Sequence, residues 1–157
     1  MKTVFSNREV ADVWAAQSQT YGRSNNGNLF FNSGTLFSYG KHFIVGRYVQ
    51  NVSGETICLI NNRHYSSSTA THQSYARRAN TSPTICVSNP NPHNEQDHRA
   101  NVVDLRNRAE IAFGKAERAR VYKDMHLDDA VKLEADALKY CEWFGVKRND
   151  RTGNKSA

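Results

Sequence analysis

The stretch Asn89-Pro90-Asn91-Pro92 constrains this chain more than any other feature, because the sequence changes its period across it. Proline lacks an amide hydrogen and has a fixed φ, so neither Pro90 nor Pro92 belongs inside a helix or a central strand. Upstream, short runs of aromatic and β-branched residues are punctuated by Gly, Asn and Ser, the pattern of strands joined by tight turns. Downstream, apolar residues recur at three- and four-residue spacing, the period of helices that bury one face. The chain therefore divides into an α+β core domain over 1–88, which holds the candidate site, and a Pro/Asn linker over 89–94. A helical hairpin follows over 95–146, packing on the core or on a second subunit, and then a flexible polar tail over 147–157.

Ser6-Asn7-Arg8-Glu9 is a capping box, in which Ser6 accepts from the third helical amide and Glu9 reaches back. The helix it opens runs to about Gln19, with Trp14 as a core anchor. Tyr21 to Asn28, with Gly22 and Gly27, reads as a loop. Four strand-like segments follow: Asn28 to Phe31, Thr35 to Tyr39, His42 to Val49 and Glu55 to Asn61. Tight turns at Asn32-Ser33-Gly34, Gly40-Lys41 and Asn51-Val52-Ser53-Gly54 separate them. A helix opens near Ser68 or Thr69 and continues to Ala79, and Thr84 to Val87 is a candidate edge strand. The expected fold class is α+β: a four-stranded antiparallel meander with an N-terminal helix, a following helix and a C-terminal helical hairpin.

In that hairpin, helices are expected over about 95–122 and 127–145. Val102, Leu105, Ala109, Ala112, Ala116 and Ala119 make a narrow seam of small residues on the first. Such a seam lets a second helix approach closely, whether in the same chain or in a homo-oligomer. On the second helix, Leu127, Ala130, Val131, Leu138, Cys141 and Phe144 share a face.

The net charge is +6, and its distribution is uneven. Residues 1–92 hold eight Lys/Arg against three Asp/Glu, while residues 93–157 hold thirteen against twelve. Excess positive charge attracts polyanions such as nucleic acid or nucleotides. Cys58, Cys86 and Cys141 are odd in number and form no CxxC pair, which argues against zinc-finger and redox readings and for reduced thiols. There is no apolar leader or membrane-length apolar run, so a soluble protein of the cytoplasm, its own cell's or a host's, is expected.

Two polar, aromatic clusters carry the candidate chemistry: Ser38-Tyr39-Gly40-Lys41-His42-Phe43 and Tyr65-Ser66-Ser67-Ser68-Thr69-Ala70-Thr71-His72. Strand alternation sends Ser38 and Tyr39 to opposite faces. A helix N-terminus ringed by hydroxyls is suited to an anion, so Ser66, Ser68, Thr69, Arg47, Arg63 and Arg77 are candidate phosphate-binding residues. His42, His72 and Tyr39 are candidate catalytic residues, since two imidazoles beside a cation suffice to cleave RNA without a metal. The tyrosines interleave with arginines, a mixture suited to base stacking and phosphate contact. His93 and His98, with Glu95 and Asp97, form a weak metal-like cluster, but no metal or cofactor is expected, and no Gly-rich phosphate loop, GxSxG or HExxH is present.

Trp14-Ala15-Ala16-Gln17-Ser18-Gln19, Asn28-Leu29-Phe30-Phe31 and the two clusters, which read as SYGxHF and YSxxTxxH, occur in order over Val10 to Ala79. In this the chain resembles a family of small bacteriophage and mobile-element proteins. The resemblance implies a phage or mobile-element origin and an accessory role in the host cytoplasm, without implying an activity. The expected function is binding of a phosphate-bearing ligand, nucleic acid foremost, through the basic polar-aromatic face. The alternatives are a metal-independent phosphodiesterase or ribonuclease, and an anti-defence inhibitor docking on a host protein complex.

Overall fold

Seven strands form one mixed sheet whose spatial order equals the chain order. They are β1 (Val4–Phe5), β2 (Tyr21–Ser24), β3 (Leu29–Asn32), β4 (Thr35–Ser38), β5 (Ile44–Gln50), β6 (Thr56–Asn61) and β7 (Thr84–Val87). In this computed structural model the described residues are 1–147, so the tail expected from 147 lies, beyond its first residue, outside them. Strands β2 to β6 pair antiparallel, whereas β1 pairs parallel to β2 and β6 parallel to β7.

The four-stranded antiparallel meander is thereby corrected to a seven-stranded mixed sheet. The four expected strands are its centre, β3 to β6. What the local pattern missed is a helical crossover at each edge: β1 to β2 through α1 (Asn7–Ala16), and β6 to β7 through α2 (Ser67–Ala79). At both crossovers the chain advances in the same direction across strands that point the same way. The right-handed rule for such connections then places both helices on one face, and α1 packs against α2 as well as against the strands beneath.

Local chemistry sets the helix ends. Ser6 and Glu9 make the full capping box of α1, and Gln17 ends it in the left-handed conformation at φ 52. The cap of α2 is Ser66, two or three residues before the expected start, and it accepts from the Thr69 amide.

The core between the sheet and these helices contains Val10, Trp14, Leu29, Phe31, Leu36, Phe43, Val45, Cys58, Ile60 and Ala76. Trp14 is its anchor. Its indole N–H donates to the Gly34 carbonyl at 2.8 Å, and its ring lies 4.7 Å from that of Tyr48. Gly46 leaves room for that indole: a Cβ there would meet Ile60 Cδ1 at 2.9 Å and Trp14 Cη2 at 3.1 Å. Cys58 lies in the same core, where burial pushes its thiol up to about 12, so it stays protonated and unreactive.

The chain separates into two units, Met1–Asn91 and the segment from Pro92 onward. The second unit is a pair of helices, α3 (Glu95–Arg118) and α4 (Lys123–Phe144), packed on each other. Val102, Leu105, Ala109, Ala112 and Ala116 are buried on α3. On α4 the buried residues include Ala130, Ala137, Tyr140 and Cys141, whereas Leu127 and Val131 are 41% and 57% exposed and so leave the expected face.

Gly46→Ala should cost about 1–3 kcal/mol by overpacking, read from the urea midpoint. Because Ile60 Cδ1 is the nearest obstacle, adding Ile60→Val should recover part of that loss. Strict additivity of the two changes would contradict the assigned contact.

Candidate functional site

The two clusters converge. β4 ends at Ser38, and β6 delivers the chain through 62–66 into the N-terminus of α2. Ser38 is fully buried, and its hydroxyl lies 2.7 Å from His72 Nδ1 and 3.2 Å from Thr69 Oγ1. Ser66, the helix cap, donates to Thr69 Oγ1 at 3.1 Å while accepting from the Thr69 amide. Each hydroxyl has a single proton to give. Ser66, Thr69, Ser38 and His72 Nδ1 thus form one continuous hydrogen-bonded chain. Burial pushes the His72 pKa below the ordinary histidine value, so the imidazole is neutral at pH 7.

Tyr39 follows Ser38 in the left-handed region, at φ 57. That region is uncommon for a bulky residue and marks a backbone held by its surroundings. Its amide donates to the Asn28 carbonyl at 2.7 Å, and its ring stacks on the His72 imidazole with centroids 5.7 Å apart. Ser38 and Tyr39 thus both reach His72, rather than the opposite faces that regular alternation would give. Gly40 comes next at φ 108, and a side chain there would meet the His42 ring at 3.3 Å.

The second loop is held as firmly. The Asn61 side chain donates to the Ile44 carbonyl at 2.8 Å and accepts from the Arg63 amide at 2.8 Å. Gln73 Nε2 donates to the carbonyls of Asn61 and Arg63 at 2.8 and 3.0 Å. Phe43 from the first loop lies 5.5 Å, centroid to centroid, from Tyr65 of the second. The outcome is one rim on which Tyr39, Lys41, His42, Arg63, His64, Tyr65, Ser67 and Ser68 are all exposed.

Each expected site residue has a definite place. Ser66, Thr69, His72 and Tyr39 meet, and Ser68 is exposed in the first turn of α2. His42 is exposed on the first loop, while His72 is 3% exposed with Nδ1 engaged by Ser38. Arg63 stands on the rim. Arg47 does not join it: Gly46 faces Trp14, so alternation sends Arg47 to the other side of the sheet. Arg77 lies in the last turn of α2, about 15 Å along the axis from its first residue at the helical rise.

Ser38, Asn61 and Gln73 carry the framework without having been singled out as site residues. Buried polar side chains must be satisfied, but only Ser38, inside a cluster, offered a signal for that in the sequence.

Neither loop nor α2 contains a carboxylate. Glu55 is at the opposite end of β6, about 20 Å away at the rise of a strand, and Glu9 and Asp12 lie on or near the exposed side of α1. The rim occupies the carboxyl ends of β4 and β6 beside a helix N-terminus, the general position of ligand sites on open sheets with helical crossovers.

The His93–His98 cluster has other uses. The His93 amide donates to Asp97 Oδ2 at 2.8 Å, and His98 Nδ1 lies 2.7 Å from the Tyr140 hydroxyl. Among the described residues no group of three or more His, Cys, Asp or Glu is arranged to hold a metal ion, and no helix is long and apolar enough to cross a membrane.

In comparisons with known proteins, no family model matches the chain, no curated protein is similar to it and no solved structure matches it.

Ser38→Ala should cost about 1–3 kcal/mol, because it strips His72 Nδ1 and Thr69 of a buried partner. The lowered pKa of His72 also sets a pH dependence. Below about 6.5, the ordinary value, the unfolded chain binds a proton that the folded chain resists. Stability is therefore full above that pH and falls as the pH drops through it. His98 is lowered by burial too and adds a similar slope. His72→Gln should remove part of the acid-side slope in urea titrations between pH 7 and 5, and an unchanged slope would contradict the neutral assignment.

Proposed function

We propose that the protein binds single-stranded nucleic acid along the rim formed by its two converged loops. The observation that carries this reading is the exposure, on one rim, of two tyrosine rings together with Lys41 and Arg63 and no acid in either loop. Tyr39 is 42% exposed and Tyr65 66%. Bases stack on exposed aromatic rings, and their phosphates are met by cations and by amides at a helix N-terminus. The unpaired hydroxyls of Ser67 and Ser68 in the first turn of α2 supply further donors for a backbone.

His72 supports binding from below. Its imidazole holds Tyr39 as a platform and is itself engaged with Ser38, so its contribution to affinity is positional. In this reading the resemblance to bacteriophage and mobile-element proteins makes the chain an accessory protein acting on nucleic acid in a host cytoplasm.

Fluorescence anisotropy with labelled single-stranded RNA, single-stranded DNA and duplex DNA at several salt concentrations tests the reading. Tyr65→Ala should weaken single-strand binding by about 1–3 kcal/mol and leave the salt dependence unchanged. Replacing Lys41 and Arg63 together should flatten the slope of log affinity against log salt by about 0.7 for each lost phosphate contact. Affinity that ignores both changes sinks the proposal. Shortened probe on a denaturing gel, lost in His42→Ala, would instead favour the metal-independent phosphodiesterase.

A further inference from the structure

One side of α3 packs on α4, and another carries a stripe of exposed residues. Val103, Asn107, Glu110, Ile111 and Arg118 are exposed there, at the three- and four-residue spacing of a single helical stripe. Ile111 is 58% exposed and Val103 37%. Asn107, Glu110, Ile111, Gly114 and Arg118 line one open groove, and Glu110 and Gly114 also border a second with Phe113 and Leu127. The ridge between the two grooves is therefore centred on Gly114.

A glycine inside a helix costs roughly 0.5–1 kcal/mol relative to alanine. A Cβ at 114 would meet only the Arg118 guanidinium, at 3.4 Å, the far end of a mobile side chain. What a bare backbone permits at such a place is the close approach of another helix.

The charges indicate which helix. Elsewhere on α3, Arg99 pairs with Glu95, Arg108 with Asp104, and Arg106 with Glu134 of α4. Glu110 and Arg118 have no ion pair among the described residues, and each is four residues from Gly114, on opposite sides of it. A two-fold axis through Gly114, with two α3 helices antiparallel, sets Glu110 of each copy against Arg118 of the other. An isologous contact requires such a self-complementary pattern. Ile111 of each helix then flanks the Gly114 crossing, beside position 117 of the other.

We propose that the protein forms a two-fold dimer through this face of α3, crossing at Gly114, with reciprocal Glu110–Arg118 pairs. The contact is separate from the alanine seam, which α3 turns inward.

Sedimentation equilibrium of the full chain over a concentration series tests it. Wild type should dimerise. Glu110→Arg sets arginine against arginine at both ends and Arg118→Glu sets glutamate against glutamate, so each should raise the dimer dissociation constant at least about tenfold. Mixed in equal amounts, the two variants should dimerise again, since each mismatch becomes a match. Gly114→Leu should leave the helical circular dichroism intact and abolish the dimer. A wild type that stays monomeric, a dimer indifferent to these changes, or a mixture no tighter than its components would each overturn the proposal.

Discussion

The hydrogen bond between Ser38 and His72 is the joint on which the arrangement of the rim depends. It ties the last residue of β4 to the second turn of α2, elements separated by two strands and three connecting loops in the sequence. Buried polar groups are costly when unmatched. Here the hydroxyls of Ser66, Thr69 and Ser38 and the ring of His72 partner one another, so the cluster is satisfied only when β4, the helix cap and His72 are all in place. That requirement makes the joint selective as well as cohesive. It also explains how a tyrosine is kept at positive φ: the ring of Tyr39 gains the face of His72, and its amide gains the Asn28 carbonyl.

Much of the fold was legible where the signal was local. The capping box of α1, the turns between β3, β4, β5 and β6, and the two long helices each announce themselves within a few residues. The edge strand β7 was legible at Thr84 to Val87, whereas β1 and β2 were not, for two physical reasons. A two-residue strand such as β1 has no period to detect. The second reason is Gly22, whose presence made Tyr21–Ser24 read as a loop. Its function is packing: a Cβ there would stand 2.6 Å from Phe31 Cε1. A glycine that accommodates a ring and a glycine that permits a turn look the same in a sequence. Parallel pairing is harder still, because its partner is brought by a helix and the registers Val4 with Arg23 and Ile60 with Cys86 leave no local trace.

The site shows the same division. Its residue types stood out as two clusters of hydroxyls, aromatics and histidines, and these clusters form the rim. The roles within them did not stand out. Ser38 and His72 are interior, whereas His42 is exposed. The difference turns on the left-handed backbone at Tyr39, which breaks the alternation that would have separated Ser38 from its neighbour. Arg47 and Arg77 looked close to the cluster in sequence, but strand parity and the length of α2 carry them elsewhere.

The identity of chain order and strand order bears on how the sheet comes into being. No strand has to be threaded between two that are already paired, and every new strand finds its partner at an edge made by the segment just before it. Closing each contact therefore spans only a hairpin or a single helical crossover, which keeps the entropic cost of each step small. A chain emerging from its N-terminus can add strands in sequence as it lengthens, and the rim is assembled only when α2 arrives over β4. Until that moment the two loops lack the Ser38–His72 bond and the Tyr39–His72 stack, so the rim is among the last features of the sheet domain to acquire its shape.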